Sequence, residues 1–152
     1  MQALRTIYRY WVTLVFVAVV VQITFAAYGG FYAADKLGDQ KGSDETKMIS
    51  EKVFDKGFGL HTGFGYLIFL AAVLLFLIAL AARLGKRQVL LALAVPVAVV
   101  VQIVLAWISE GVHAVGLLHG LNALVIFGLT GSMTAMSWRR HKASGGVTAV
   151  PT

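Results

Sequence analysis

The chain has 152 residues, of which 59% are hydrophobic and 13% charged, with a formal net charge of +6. Soluble domains carry roughly 25% charged residues, so this composition excludes an ordinary soluble domain, and the length suits a single one. The absence of cysteine excludes disulfides and thiolate ligation.

Four apolar stretches, at about 11–33, 57–82, 88–109 and 113–137, are each long enough to cross a bilayer, for which about 20 residues suffice. Arg5 and Arg9 precede the first, as in a signal peptide, but its apolar part exceeds the roughly 7–15 residues of a signal core. It reads as a retained helix. A polar outer loop at about 34–56 follows, with five lysines and six acids between Asp35 and Lys56. It reads as solvated, with a helical turn or more around Met48–Phe54, and as a cap over the outer mouth of the helices. The second stretch is rich in glycine at its start (Gly57, Gly59, Gly63, Gly65), which suits close approach between membrane helices. It ends at the basic turn Arg83-Leu84-Gly85-Lys86-Arg87. The third contains Pro96, whose freed backbone groups neighbouring helices can satisfy. Residues 139–152 are basic and then rich in small residues, and read as a disordered tail. The expected fold is all-α: an integral membrane four-helix up-down bundle over residues 1–138.

Arginine and lysine gather at the N-terminus, the second connection and the tail, while all seven acids lie in the first and third connections. The positive-inside rule then places both termini in the cytoplasm. Tyr8, Tyr10, Trp11 and Trp138 would mark the inner interface, and Tyr28, Tyr32 and Trp107 the outer one. The basic balance is thus a topology signal. Membrane lipid is the expected surrounding, and nucleic acid is not an expected partner.

Two internal matches single out a site. Val17-Ala18-Val19-Val20-Val21-Gln22-Ile23 is identical to Val97-Ala98-Val99-Val100-Val101-Gln102-Ile103. Leu60-His61 is followed by Leu67-Ile68-Phe69 at the offsets at which Leu118-His119 is followed by Val125-Ile126-Phe127. The pattern predicts two parallel helical-hairpin repeats. It brings His61 and His119, near the starts of helices 2 and 4, to one depth. Ionisable side chains inside a membrane mark function, and two imidazoles at one depth can fill both axial positions of a heme iron. Without a CxxCH motif that heme would be non-covalent heme b. A ligating histidine gives its second ring N–H to a partner; the carbonyls of Gln22 and Gln102, and Asn122 one turn after His119, are candidates. Gly65 and Ala123, each four residues after a histidine, are small enough to lie against a flat porphyrin, although helix packing explains them equally. Zinc or copper would need further ligands. His113 lies on a different helical face from His119, and His141 falls in the tail.

Gln22 with its following small and aromatic residues, His61-x-Gly63, Gln102-Ile-Val-Leu-Ala106 and Leu118-His119-x-Leu121-Asn122 resemble a bacterial family of four-helix membrane proteins of unknown function. The resemblance implies a fold but no activity. More distantly, the arrangement is similar to one half of heme A synthase, whose halves each carry a histidine pair on their second and fourth helices. Carried over, that pair is His61 and His119. The chain departs from the reactive half of that enzyme, which has Glu-x-x-His on its second helix, because Phe58 stands three residues before His61. Glu110-Gly-Val-His113 has the spacing but opens helix 4.

The leading expectation is a membrane b-type cytochrome that transfers electrons, served by a redox partner, a larger membrane complex or a quinone. The alternatives are an enzyme or enzyme subunit of heme modification or quinol oxidation, and a non-heme structural subunit of a membrane complex.

Overall fold

The computed structural model describes residues 1–38 and 45–145. It is all-α, with four helices: α1 (Gln2–Gly38), α2 (Glu45–Ala81), α3 (Lys86–Gly111) and α4 (Val115–Gly145). Each contains a segment long and apolar enough to cross a membrane: Gln2–Lys36, Glu51–Ala81, Lys86–Gly111 and Val115–Lys142. In lipid every backbone N–H and C=O must be satisfied within the segment, which leaves the helix as the open-chain solution.

The helices outrun the apolar stretches. The predicted loop at about 34–56 is largely helical, because α1 continues to Gly38 and α2 starts at Glu45. Lys52 and Lys56 are exposed on α2 rather than on a loop, and residues 39–44 lie outside the described ones. Hydropathy marks where lipid contact begins, but a helix once nucleated extends at little cost through good helix formers such as Lys, Glu and Met. The predicted disordered tail is likewise helical as far as Gly145. Lys142 lies in the last turn of α4, well placed against the negative end of the helix dipole. The remainder of that tail expectation, residues 146–152, lies outside the described residues.

Contacts divide the chain into two units, residues 18–68 and residues 1–17 with 69–152. The larger unit has a core drawn from all four helices, in which Val12, Val15, Ala72, Leu75, Ala79, Ala92 and Val95 are fully buried and Met133 nearly so. Alanines at Ala72, Ala79 and Ala92 let the helix axes approach. Polar groups pin the same unit. The Trp11 indole donates to the Ala71 carbonyl at 2.9 Å, and the Trp138 indole to Thr13 Oγ1 at 3.0 Å. The Thr134 hydroxyl donates to the Val12 carbonyl at 3.3 Å. The Arg9 guanidinium lies over the rings of Trp138 and Tyr10, at 4.9 and 5.5 Å.

The turn between α2 and α3 is a paired C-cap: Leu84 N–H reaches the Ala79 carbonyl at 3.2 Å and Arg83 N–H the Leu80 carbonyl at 2.9 Å. Its left-handed position, normally given to glycine, holds Arg83 at φ 47°. Leu84 packs back on the core, as this motif requires. Pro96 sits buried within α3, which continues past it to Gly111.

In the smaller unit α1 and α2 run antiparallel. Gly57 meets the Gly29 carbonyl and the Tyr32 ring so closely that a Cβ there would stand 3.1 Å from both. The aromatic rings of Phe25 and Phe64 pack edge to face at 5.3 Å, and Phe54 stacks on Phe58 at 4.7 Å. The close approach read from four glycines therefore belongs to Gly57 and Gly65. A Cβ on Gly59 or Gly63 would meet nothing among the described residues within 4 Å.

Two substitutions test these elements by unfolding in detergent, followed by circular dichroism. Arg83→Gly removes the cost of a left-handed non-glycine residue and should stabilise the protein by about 1 kcal/mol. Gly57→Val should destabilise it by about 1–3 kcal/mol through overpacking, whereas Gly63→Ala should be neutral or favourable by up to about 1 kcal/mol.

Candidate functional site

A glutamine amide within an apolar helix has two donors and an acceptor to satisfy and no water to do it. In the smaller unit, Gln22 of α1 solves this against α2. Its Nε2 donates to the main-chain carbonyl of His61 at 2.7 Å, and His61 Nδ1 lies 3.2 Å from the main-chain carbonyl of Gln22. In the larger unit, Gln102 of α3 and His119 of α4 repeat the arrangement. Gln102 Nε2 donates to the His119 carbonyl at 3.0 Å, and His119 Nδ1 lies 3.1 Å from the Gln102 carbonyl. Each pair forms a reciprocal clasp in which one side chain reaches the other residue's backbone. The helices lose nothing by it, because a carbonyl has two lone pairs and the intrahelical bond uses one.

The clasp sets the state of each imidazole. A carbonyl oxygen only accepts, so Nδ1 carries the proton in both rings. A neutral imidazole protonated at Nδ1 keeps its lone pair on Nε2. This is the tautomer of a histidine that ligates through Nε2 while a backbone carbonyl orients it. Both histidines are half-buried. The expected glutamine carbonyl is thus the main-chain one, and the side-chain amide is spent on the histidine's own carbonyl.

Gly65 belongs to the clasp in another way than the porphyrin contact expected of it. A Cβ there would stand 3.1 Å from Gln22 Nε2, so its smallness lets the glutamine reach the His61 carbonyl one turn earlier. At the corresponding offset in the larger unit Ala123 is half-buried on α4.

Asn122 reaches Gln102 rather than a histidine ring. Its Nδ2 donates to Gln102 Oε1 at 2.7 Å and to the Ala98 carbonyl at 2.9 Å, so both ends of the Gln102 amide are engaged. The corresponding residue in the smaller unit is Phe64, whose side chain offers no donor. There Gln22 Oε1 is buried without a hydrogen-bond partner among the described residues. The difference lies three residues after each histidine in the sequence, where a phenylalanine in an apolar helix carries no signal of its own.

The remaining histidines stand apart from the clasps. His113 is exposed in the turn between α3 and α4, and His141 is exposed on α4, edge-on to Trp138 at 6.3 Å. Among the described residues, no three of His, Asp and Glu come together in a group able to hold a metal ion.

Residues 53–110 match the family described as a family of unknown function, DUF6220. The match takes in His61 and Gln102 but stops short of Gln22 and His119, and no link to heme A synthase is found. No curated protein and no solved structure matches the chain.

Proposed function

We propose that this chain is a membrane b-type cytochrome-like protein. It binds one non-covalent heme b through His61 and His119 and serves electron transfer. The observation that carries the reading is the pair of like clasps: Gln22 with His61, and Gln102 with His119, each with Nδ1 held on a main-chain carbonyl. Two imidazoles prepared in the same tautomer would suit a heme iron, for which histidine is a usual ligand. Zinc is less well served, since structural zinc takes four ligands. When bound, the heme supplies a one-electron redox centre. The chain's own part is to orient both imidazoles, to keep their lone pairs on Nε2, and to surround them with apolar side chains that raise the cost of charge.

On this reading the clasps descend from a duplicated helical hairpin, and the basic ends of the helices place both termini in the cytoplasm of a bacterial membrane. A quinone or a redox subunit of a larger membrane complex is the kind of partner a heme within lipid can meet. The likeness to one half of heme A synthase is a reading of the sequence alone, and Phe58 stands three residues before His61, where the reactive half of that enzyme has glutamate.

Protein purified from heme-replete cells should show a Soret band and a b-type pyridine hemochrome, with colour extractable by acid–acetone. A colourless protein would end the cytochrome reading. His61→Ala and His119→Ala should each abolish heme retention or greatly weaken it, while His113→Ala and His141→Ala should retain full occupancy. Equal loss with His113→Ala would move the site to the turn before α4. Gln22→Leu and Gln102→Leu leave the orienting main-chain carbonyl in place and remove only the amide's bond to the histidine's backbone, so each should weaken heme retention by about tenfold or less, well short of the loss expected for His61→Ala or His119→Ala.

A further inference from the structure

The larger unit has a basic end with no acid near it. Residues 1–17 and 69–152 hold eight lysines and arginines but one acidic side chain, Glu110. All eight bases lie within residues 5–9, 83–87 and 139–142. Glu110 stands 23 positions along α3 from Arg87, which at the helical rise per residue is about 35 Å. Salt screens charges beyond about 10 Å at 0.1 M, so that carboxylate does nothing for the far end. The positive charge there is met from outside the unit.

Two of the arginines line a cleft. Tyr8 of α1, Arg87 and Gln88 of α3, and Arg140 of α4 surround it, over a floor that includes Leu91 and Met133. Arg87 and Arg140 are exposed, whereas Tyr8 and Met133 are buried, so the two guanidiniums stand at the mouth. The start of α3 lies at the same place. Its first turn holds no acid, and Gly85 at its N-cap brings no side-chain acceptor. The positive end of that helix therefore adds to the two arginines.

We propose that this cleft binds the phosphate of an anionic phospholipid, drawn from the leaflet at the basic ends of the helices. Arginine suits a phosphate because its planar fork grips two oxygens at once. Tyr8 and Gln88 bring further donors to the walls. The floor has room for about one water molecule, too little to enclose a soluble phosphate compound, so the phosphate sits at the mouth. Further along α3, Leu90 and Leu93 face outward and offer acyl chains a surface that a free phosphate would leave bare. Basic pockets between membrane helices are where anionic headgroups bind. The histidines take no part, so the headgroup site and the heme reading stand or fall separately.

The test uses the full chain, purified in detergent, stripped of lipid, and titrated with phosphatidylglycerol or phosphatidylcholine under native mass spectrometry. Phosphatidylglycerol should bind about tenfold more tightly than phosphatidylcholine, and inorganic phosphate should not displace it. Arg87→Gln and Arg140→Gln should each weaken that binding by about fivefold, the usual worth of one basic residue beside an anionic lipid. Arg5→Gln and Lys142→Gln remove the same charge outside the cleft and should leave the affinity nearly unchanged. All four side chains are exposed, so the variants should fold, and the comparison of the two lipids needs no substitution at all. Equal affinity for both lipids would overturn the proposal. So would displacement by inorganic phosphate, which would make the ligand a free anion, or equal losses in the two pairs of variants, which would make the attraction a diffuse one.

Discussion

Two glutamine amides inside apolar helices set the terms for the rest of the chain. Apolar side chains line these helices on nearly every side, with Leu70, Leu77, Leu121 and Leu124 all pointing outward, so hydrophobicity does not choose one rotation or register over another. An amide does choose, because it must meet a partner of the right kind at hydrogen-bond distance. Gln22 finds the His61 carbonyl on α2, and Gln102 finds the His119 carbonyl on α4. A slip of one residue along either neighbour would lose both bonds of the clasp at once. The tight contact of Gly57 with Gly29 and the small residue at position 65 are what that register demands of the helices around it.

The same bonds serve orientation and chemistry together. A histidine that merely filled space could take either tautomer. One whose Nδ1 faces a main-chain carbonyl has only one neutral form, and that form presents Nε2 as a base or ligand. The structural need of a glutamine and the electronic state of an imidazole are thereby made one requirement. Neither can be altered by substitution without disturbing the other.

Much of this was legible in the sequence. Helix number and type were readable because lipid leaves a chain few options. Helix ends were not, because hydropathy falls where water begins and the helix at Glu45–Lys56 continues into it. The residues of the clasps were readable from two matched segments, but the atoms were not: side-chain and main-chain carbonyls of one glutamine are indistinguishable by spacing. Asn122 was singled out as a partner for His119, and its donors go instead to Gln102 and Ala98. Gly65 was read as room for a porphyrin, and the neighbour it accommodates is an amide. In both cases the residue was found from its distance along one helix, while its role depends on what the adjacent helix presents.

The bonds that join the first helix to the last bear on how the chain is made. Thr134 donates to Val12, Trp138 donates to Thr13, and Gly131 lies under the Phe16 ring. Chain order separates these partners by nearly the whole protein. During synthesis α1 enters the membrane with its Thr13 and Arg9 faces uncovered, and it waits for α4 before those faces are closed. Contacts this distant along a chain are slow to form. Before α4 is present, α1 can be held only by such contacts as the Gln22–His61 clasp, the Trp11–Ala71 bond and the close approach of Gly29 and Gly57, and the aromatic seal of Trp138 over Arg9 closes only once α4 has been made.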